Sequence, residues 1–235
     1  MKTIGLIGGM SWESSLEYYR IINEEVKDTL GGLHSAKCLL YSVDFDEIES
    51  YQAEGDWEGA GETLGEVALA LERAGADFIV ICTNTMHKVM EYIEQKIKIP
   101  VLHIADATAN HILKGKIKTV GLLGTKYTME QEFYRSRLKL NGIDVVIPDK
   151  EERINVNRVI YEELCLGQIK SSSRDYYQDV IQQLIRKGAE GIILGCTEIG
   201  LLVKPEDAKV PLFDTTVIHA IEAVNVALEH SSKNE

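Results

Sequence analysis

At 235 residues, with 45% hydrophobic and 26% charged residues, the chain is long enough for one large α/β domain or two small ones with real cores. A formal net charge of −12 without a basic patch argues against nucleic acid and means that an anionic ligand must be held by local donors. No apolar run approaches the ~20 residues of a membrane span, the four cysteines form no CxxC pair, and Met1-Lys2 leads into a short strand rather than a signal peptide, so a cytoplasmic protein without zinc knuckle or disulfide framework is expected.

Residues 3–7 read as a buried strand ending in Gly8-Gly9-Met10-Ser11. The GxGxxG spacing of a dinucleotide fingerprint is absent. The glycines permit a tight turn, and Ser11 suits the N-cap of a helix over 12–27. The unpaired N–H groups there either bind a carboxylate or belong to a plain βα turn. Residues 36–43 predict a second strand, 44–56 a polar connection with some helix that carries Gln52, and 57–74 an amphipathic helix. A strand over 78–82 then delivers Thr83-Asn84-Thr85-Met86-His87. Asn84 and Thr85 bring hydrogen-bonding side chains to a strand's carboxyl end, where they meet a ligand or cap the next helix. His87, four residues past Thr83, reads as a satisfied structural histidine.

Residues 101–104 predict another strand, followed by a helix to about residue 113. The strand over 119–124 ends in Gly124-Thr125-Lys126-Tyr127-Thr128, again small and polar ahead of a helix. A short strand over 144–147, a helix over 154–166 that carries Cys165, and a helix over 171–187 follow. The apolar run Gly191-Ile192-Ile193-Leu194 breaks at Gly195-Cys196. A strand buried on both faces belongs to a parallel sheet, where ligands gather at the carboxyl ends. Thr197 and Glu198 are good residues for opening a helix, whose N-terminus stabilises a thiolate. Cys196 is thus a base or nucleophile, or else a buried cysteine packed as a small hydrophobe. A strand over 212–214, a helix over 216–230 and a fraying tail over 231–235 complete the chain.

The chain contains this pattern twice. Gly75-Ala76-Asp77-Phe78-Ile79-Val80-Ile81-Cys82-Thr83 lies over residues 188–196 at an offset of 113, which pairs Thr83 with Cys196 and Cys82 with Gly195. Thr3-Ile4-Gly5-Leu6-Ile7-Gly8 matches residues 119–124 at an offset of 116, and Lys98-Ile99-Pro100-Val101 matches residues 209–212 at an offset of 111. Three anchors in one order with slowly drifting offsets argue for a duplicated domain. The expected division is 1–108 with 215–235 as the first lobe and 109–214 as the second, the last helix returning to the first.

Gly5-Leu6-Ile7-Gly8-Gly9-Met10, Thr83-Asn84-Thr85-Met86-His87 and Gly195-Cys196-Thr197-Glu198 resemble the signature blocks of the aspartate/glutamate racemase superfamily, and more closely its aspartate and broad-specificity amino-acid racemase branch. The resemblance covers nearly the whole chain. It implies an α/β fold of two duplicated Rossmann-like lobes with parallel sheets related by a pseudo-twofold, a cleft between them, usually a homodimer, and neither cofactor nor metal. In that family two cysteines flank the substrate Cα, one removing the proton and the other returning one from the opposite face. The residues implied around an amino-acid substrate are Met10, Ser11, Gln52, Asn84, Thr85, Thr125, Thr197 and Glu198, with Cys196 and Thr83 catalytic.

Two departures stand out. The family reads Cys-Asn-Thr where this chain reads Thr83-Asn84-Thr85, and Cys82 is one residue early, on the opposite face of its strand. A threonine hydroxyl is far too weak an acid to form an alkoxide near neutrality, whereas a thiol with a pKa near ~8.5 can be tuned. By the family's assignment Cys196 would deprotonate the L-enantiomer, with Thr83 returning a proton or orienting a water. The second departure is acidic sequence, Asp46-Glu47-Ile48-Glu49 and Glu163-Leu164-Cys165, where aspartate-specific relatives place basic residues. A broader or neutral amino-acid substrate is favoured. A one-cysteine decarboxylase or cis–trans isomerase of a small diacid, and a catalytically weak amino-acid-binding protein, are the rival readings.

Overall fold

β1 (Ile4–Gly8) is buried at every position in the computed structural model, which describes residues 1–229. It is followed by α1 (Trp12–Leu30), β2 (Cys38–Ser42), α2 (Phe45–Glu54), α3 (Trp57–Arg73), β3 (Phe78–Ile81), a 3₁₀ turn Thr85–Val89, α4 (Met90–Lys96) and β4 (Val101–Leu102). The strands form a parallel sheet in the order β2-β1-β3-β4. The chain then continues through α5 (Ile104–Lys114), β5 (Thr119–Gly124), α6 (Lys126–Glu130), α7 (Glu132–Leu140), β6 (Asp144–Val146), α8 (Lys150–Glu162), α9 (Ser171–Arg186), β7 (Gly191–Gly195), α10 (Ile199–Leu202), β8 (Leu212–Asp214) and α11 (Thr215–Leu228). The second sheet is also parallel, in the order β6-β5-β7-β8. The chain divides into two compact units, Met1–Ile104 with the segment from His219, and Ala105–Ile218.

The two sheets share one strand order, and their registers correspond. Ile7 pairs with Ile81 in the first sheet, and Leu123 with Leu194 in the second. These are the positions that the sequence offsets of 116 and 113 match. Thr83 and Cys196 therefore each stand two residues beyond an equivalent pair, at the carboxyl end of the strand beside the central one.

Alternation sorts the side chains of the first sheet. Ile4, Leu6, Phe78 and Val80 pack with Tyr18, Ile22 and Val26 of α1 and Ala220, Ala223 and Val224 of α11. Ile7, Ile79 and Ile81 pack on the other side with Ala60, Leu64 and Ala68 of α3. Both faces are covered, as a parallel sheet requires. In the second unit Leu123, Ile192 and Leu194 share a core with Val156 and Ile160 of α8 and Tyr177, Ile181 and Leu184 of α9.

Several elements differ in extent from the sequence expectation. The helix expected over 154–166 starts at Lys150, because the Glu152 carboxylate accepts the Asp149 N–H at 2.8 Å, and it stops at Glu162. Cys165 lies in a separate 3₁₀ turn, Leu164–Leu166, closed by Gly167 at φ 70°. The polar connection over 44–56 is mostly helix, α2, capped by Asp44. The last helix, expected over 216–230, ends at Leu228; residue 230 and the tail expected over 231–235 fall outside the described residues. No helix among the described residues is long and apolar enough to cross a membrane.

α11 is tied to the first unit by a buried histidine. Tyr18 O–H donates to His219 Nδ1 at 2.8 Å, and His219 Nε2–H donates to the Leu102 carbonyl at 2.9 Å. Burial is the largest cause that pushes the His219 pKa down to about 3 from 6.5. The folded ring stays neutral while the unfolded one gains a proton below about pH 6.5. The stability it contributes is complete above that pH and falls by ~1.4 kcal/mol per pH unit towards pH 3. Urea midpoints between pH 7 and pH 5 should therefore drop, and the His219→Gln variant should lose one proton's worth of that slope. Equal slopes in the two proteins would refute the assignment.

Candidate active site

One group of candidate residues, in the first unit, is built where β1 and β3 end. Gly9 has φ 95°, and a Cβ there would run into the Val43 carbonyl, so the turn needs glycine. The Gly9 N–H donates to Ser15 Oγ at 2.8 Å, and Ser11 caps α1 by accepting the Ser14 N–H at 3.4 Å. Ser14 O–H reaches across to the Cys82 carbonyl at 3.1 Å. The next carbonyl, that of Thr83, accepts from His87 Nδ1 at 2.9 Å. Two successive carbonyls of the loop are thus held by side chains, with Thr83 itself half-buried.

Met10, Ser11, Gln52, Asn84 and Thr85 are all buried in this unit. Gln52 Nε2–H donates to Met86 Sδ at 3.2 Å. A thioether is a weak acceptor, so a better one would displace it at little cost. Asn84 precedes a 3₁₀ turn of five residues, not an α-helix, and its side chain does not cap it. The helix dipole expected behind Asn84 and Thr85 is correspondingly small.

Cys82 lies on the α1 side of the sheet among Ile4, Tyr18 and Val80 and is fully buried, and burial pushes its thiol pKa up. It is a core residue. Cys82→Ala should fold, lose ~1 kcal/mol to the small void, and keep most of its turnover. A loss of activity as deep as that from replacing Cys196 would refute this.

A second group, in the second unit, follows β7. Cys196 is buried, and its Sγ–H donates to Glu198 Oε2 at 3.0 Å. The same carboxylate oxygen accepts Thr197 O–H at 2.8 Å. The expectation of a helix N-terminus stabilising a thiolate is corrected here. α10 is only four residues long, and burial first, then the Glu198 charge, push the Cys196 pKa well above 9.0. The resting group is a thiol, hydrogen-bonded to a carboxylate positioned to take its proton. Sequence reasoning placed Glu198 near substrate and missed its contact with sulfur, although a side chain two residues past Cys196 in a tight turn was the available signal.

Thr125, on the neighbouring strand end, accepts the Thr128 N–H at 3.3 Å and caps α6. Thr128 in turn packs where a Cβ on Gly195 would fall, 3.3 Å from Thr128 Cγ2. Thr215, which no sequence signal marked, donates its hydroxyl proton to the Leu194 carbonyl at 2.9 Å and holds β7 just before Cys196. Glu163 is a buried anion: its pKa is lowered, first by the Ser173 hydroxyl at 2.6 Å and then by Lys170 and Arg158, against the effect of burial.

The family model for Asp/Glu/Hydantoin racemase matches residues 7–223. The broad-specificity amino-acid racemase RacX of Bacillus subtilis is 30% identical over 246 residues, covering 97% of this chain and all of that protein. A Yersinia pestis protein of the Asp/Glu racemase class superposes with a TM-score of 0.91 at 60% identity, over 97% of this chain and 100% of that one. An aspartate racemase homologue from Pyrococcus horikoshii does so at 0.83 with 38% identity, over 97% of this chain and 99% of the other. With two sheets of equivalent order and register, and a buried thiol at the end of the second, the chain belongs to the Asp/Glu/Hydantoin racemase family of isomerases.

Proposed function

We propose that the chain racemises amino acids by proton transfer at Cα without an organic cofactor, with Cys196 and Thr83 as the unequal catalytic pair. The observation that carries this reading is the Cys196 thiol, held 3.0 Å from the Glu198 carboxylate at the register position that corresponds to Thr83. The thiol passes its proton to Glu198, and the thiolate removes the Cα proton of an L-amino acid. The electron pair left on Cα delocalises into the substrate carboxylate. The Thr83 hydroxyl, or a water that it orients, delivers a proton to the other face, and solvent restores the hydroxyl. Glu198 then releases its proton to solvent. Asn84, Thr85, Thr197, Ser11 and Thr125 supply hydrogen bonds to the substrate, and Met10 and Gln52 line the side-chain end.

The substrate class follows from charge. Asp46, Glu47 and Glu49 on α2 and the buried Glu163 anion disfavour a distal carboxylate, and Gln52 is neutral. Broad specificity, as in the RacX relative's name, fits better than strict aspartate use. Incubation with L- and D-amino acids in deuterated water, with Cα deuteration and chirality read together, tests the assignment. A racemase exchanges and inverts; consumption of diacids alone would establish the one-cysteine decarboxylase, and neither change a binding protein. We further propose a cytoplasmic homodimer, supported by the exposed stripe Trp12, Leu16 and Tyr19 along α1, and a monomer mass by light scattering would refute the dimer.

The unequal pair makes its own prediction. Thr83→Cys should supply a usable base on the deficient face, raising Cα exchange of the D-enantiomer by roughly 10-fold or more relative to that of the L-enantiomer. Because kcat/KM must agree in the two directions for enantiomers of equal energy, the asymmetry has to be read in exchange without inversion. Equal exchange from both enantiomers in the unsubstituted protein would show that Thr83, or its water, is already a competent base.

A further inference from the structure

We infer that His87 is a positioning residue for the reaction, a tautomer-specific latch that holds the Thr83 loop to the residue at which the chain leaves the first unit. The inference rests on the role proposed above for Thr83. Each nitrogen of the His87 ring takes part in a hydrogen bond. The backbone N–H of Ile104 donates to Nε2 at 3.2 Å, and since an N–H can only donate, Nε2 carries no proton. Nδ1 therefore bears the hydrogen and donates it to the Thr83 carbonyl at 2.9 Å. Only the neutral Nδ1–H tautomer satisfies both partners.

His87 is buried, packed 4.5 Å between centroids from His103 and 5.8 Å from His219. His219 is itself neutral, donating to the Leu102 carbonyl and accepting from Tyr18 O–H. His103 lies between β4 and α5, His219 lies on α11, and the Tyr18 hydroxyl of α1 reaches His219. Ile104 is the last residue of the first unit before the chain passes to the second, and His219 is the first after it returns. The carbonyl that His87 holds belongs to the residue whose hydroxyl must aim at the reacting carbon. An ångström of displacement there is worth on the order of 100-fold in rate.

Two substitutions separate the ring's two bonds. His87→Asn keeps a donor at the Nδ1 position and loses the acceptor for Ile104. His87→Gln keeps an acceptor near Nε2 and loses the donor to Thr83. With L-aspartate, L-glutamate and L-alanine as probes in deuterated water, we expect His87→Gln to slow inversion about 100-fold while slowing Cα exchange of the L-enantiomer no more than about 3-fold. His87→Asn should recover inversion to within about 10-fold of the unsubstituted protein. Thermal midpoints of both variants, measured alongside, are expected to fall by similar amounts, because each loses one hydrogen bond. Inversion and exchange falling together in both variants, in step with the midpoints, would overturn the positioning role and leave a structural one. So would a His87→Gln protein as active as His87→Asn. Absence of Cα exchange in the unsubstituted protein would instead overturn the racemase reading of the site, and the latch with it.

Discussion

Cys196→Ser is expected to abolish Cα proton exchange for every amino acid that the protein turns over, while amino-acid binding stays measurable. The substitution is nearly isosteric and keeps a donor for Glu198 Oε2, so the turn after β7 should persist. What it removes is acidity. A serine hydroxyl cannot be ionised by a neighbouring carboxylate near neutral pH, and positioned acid–base groups contribute ~10² to 10⁴ in rate. Exchange of the L-enantiomer, read by loss of the Cα proton signal in deuterated water, should fall by at least about 1000-fold. Retention of a tenth of the activity would sink the assignment of Cys196, whatever the ligand affinity.

Glu198→Gln should cut L-enantiomer exchange about 100-fold at pH 7 and recover much of that loss as the pH rises into the alkaline range. The sign follows from the causes that raise the thiol's pKa. Burial, the larger, survives the substitution, so Cys196 stays protonated at neutrality even without the nearby charge. The carboxylate that would take the proton is gone, and only hydroxide replaces it. The unsubstituted protein should show a shallower rise with pH, because Glu198 accepts the proton internally. A loss of equal depth at every pH would mean that Glu198 acts through packing or through its bond to Thr197 O–H alone.

The fold was legible because burial on both faces of a parallel strand forces apolar runs, and runs such as Phe78–Ile81 and Gly191–Gly195 are visible without partners. Their duplication was legible too, since constant offsets in sequence became equivalent registers in the two sheets. That alone equated Thr83 with Cys196 and turned Cys82 into the core. Element ends were less legible. The capping carboxylate of Glu152 and the αL residue Gly167 redrew α8, and such details depend on single side-chain contacts.

By itself, then, the sequence determined which residues occupy the strand ends, because periodicity and repetition are local properties of the chain. Only the tertiary structure decided what those residues are chemically. Burial of Cys196 against the Glu198 carboxylate makes the resting group a thiol, where an exposed cysteine opening a helix would lean towards thiolate. The His87 ring has one partner four residues back and another seventeen residues on, at Ile104. Gln52 meets Met86 across thirty-four residues. Acidity and hydrogen-bond direction depend on desolvation and on partners distant in sequence, and these exist only once the sheets and helices have closed around them.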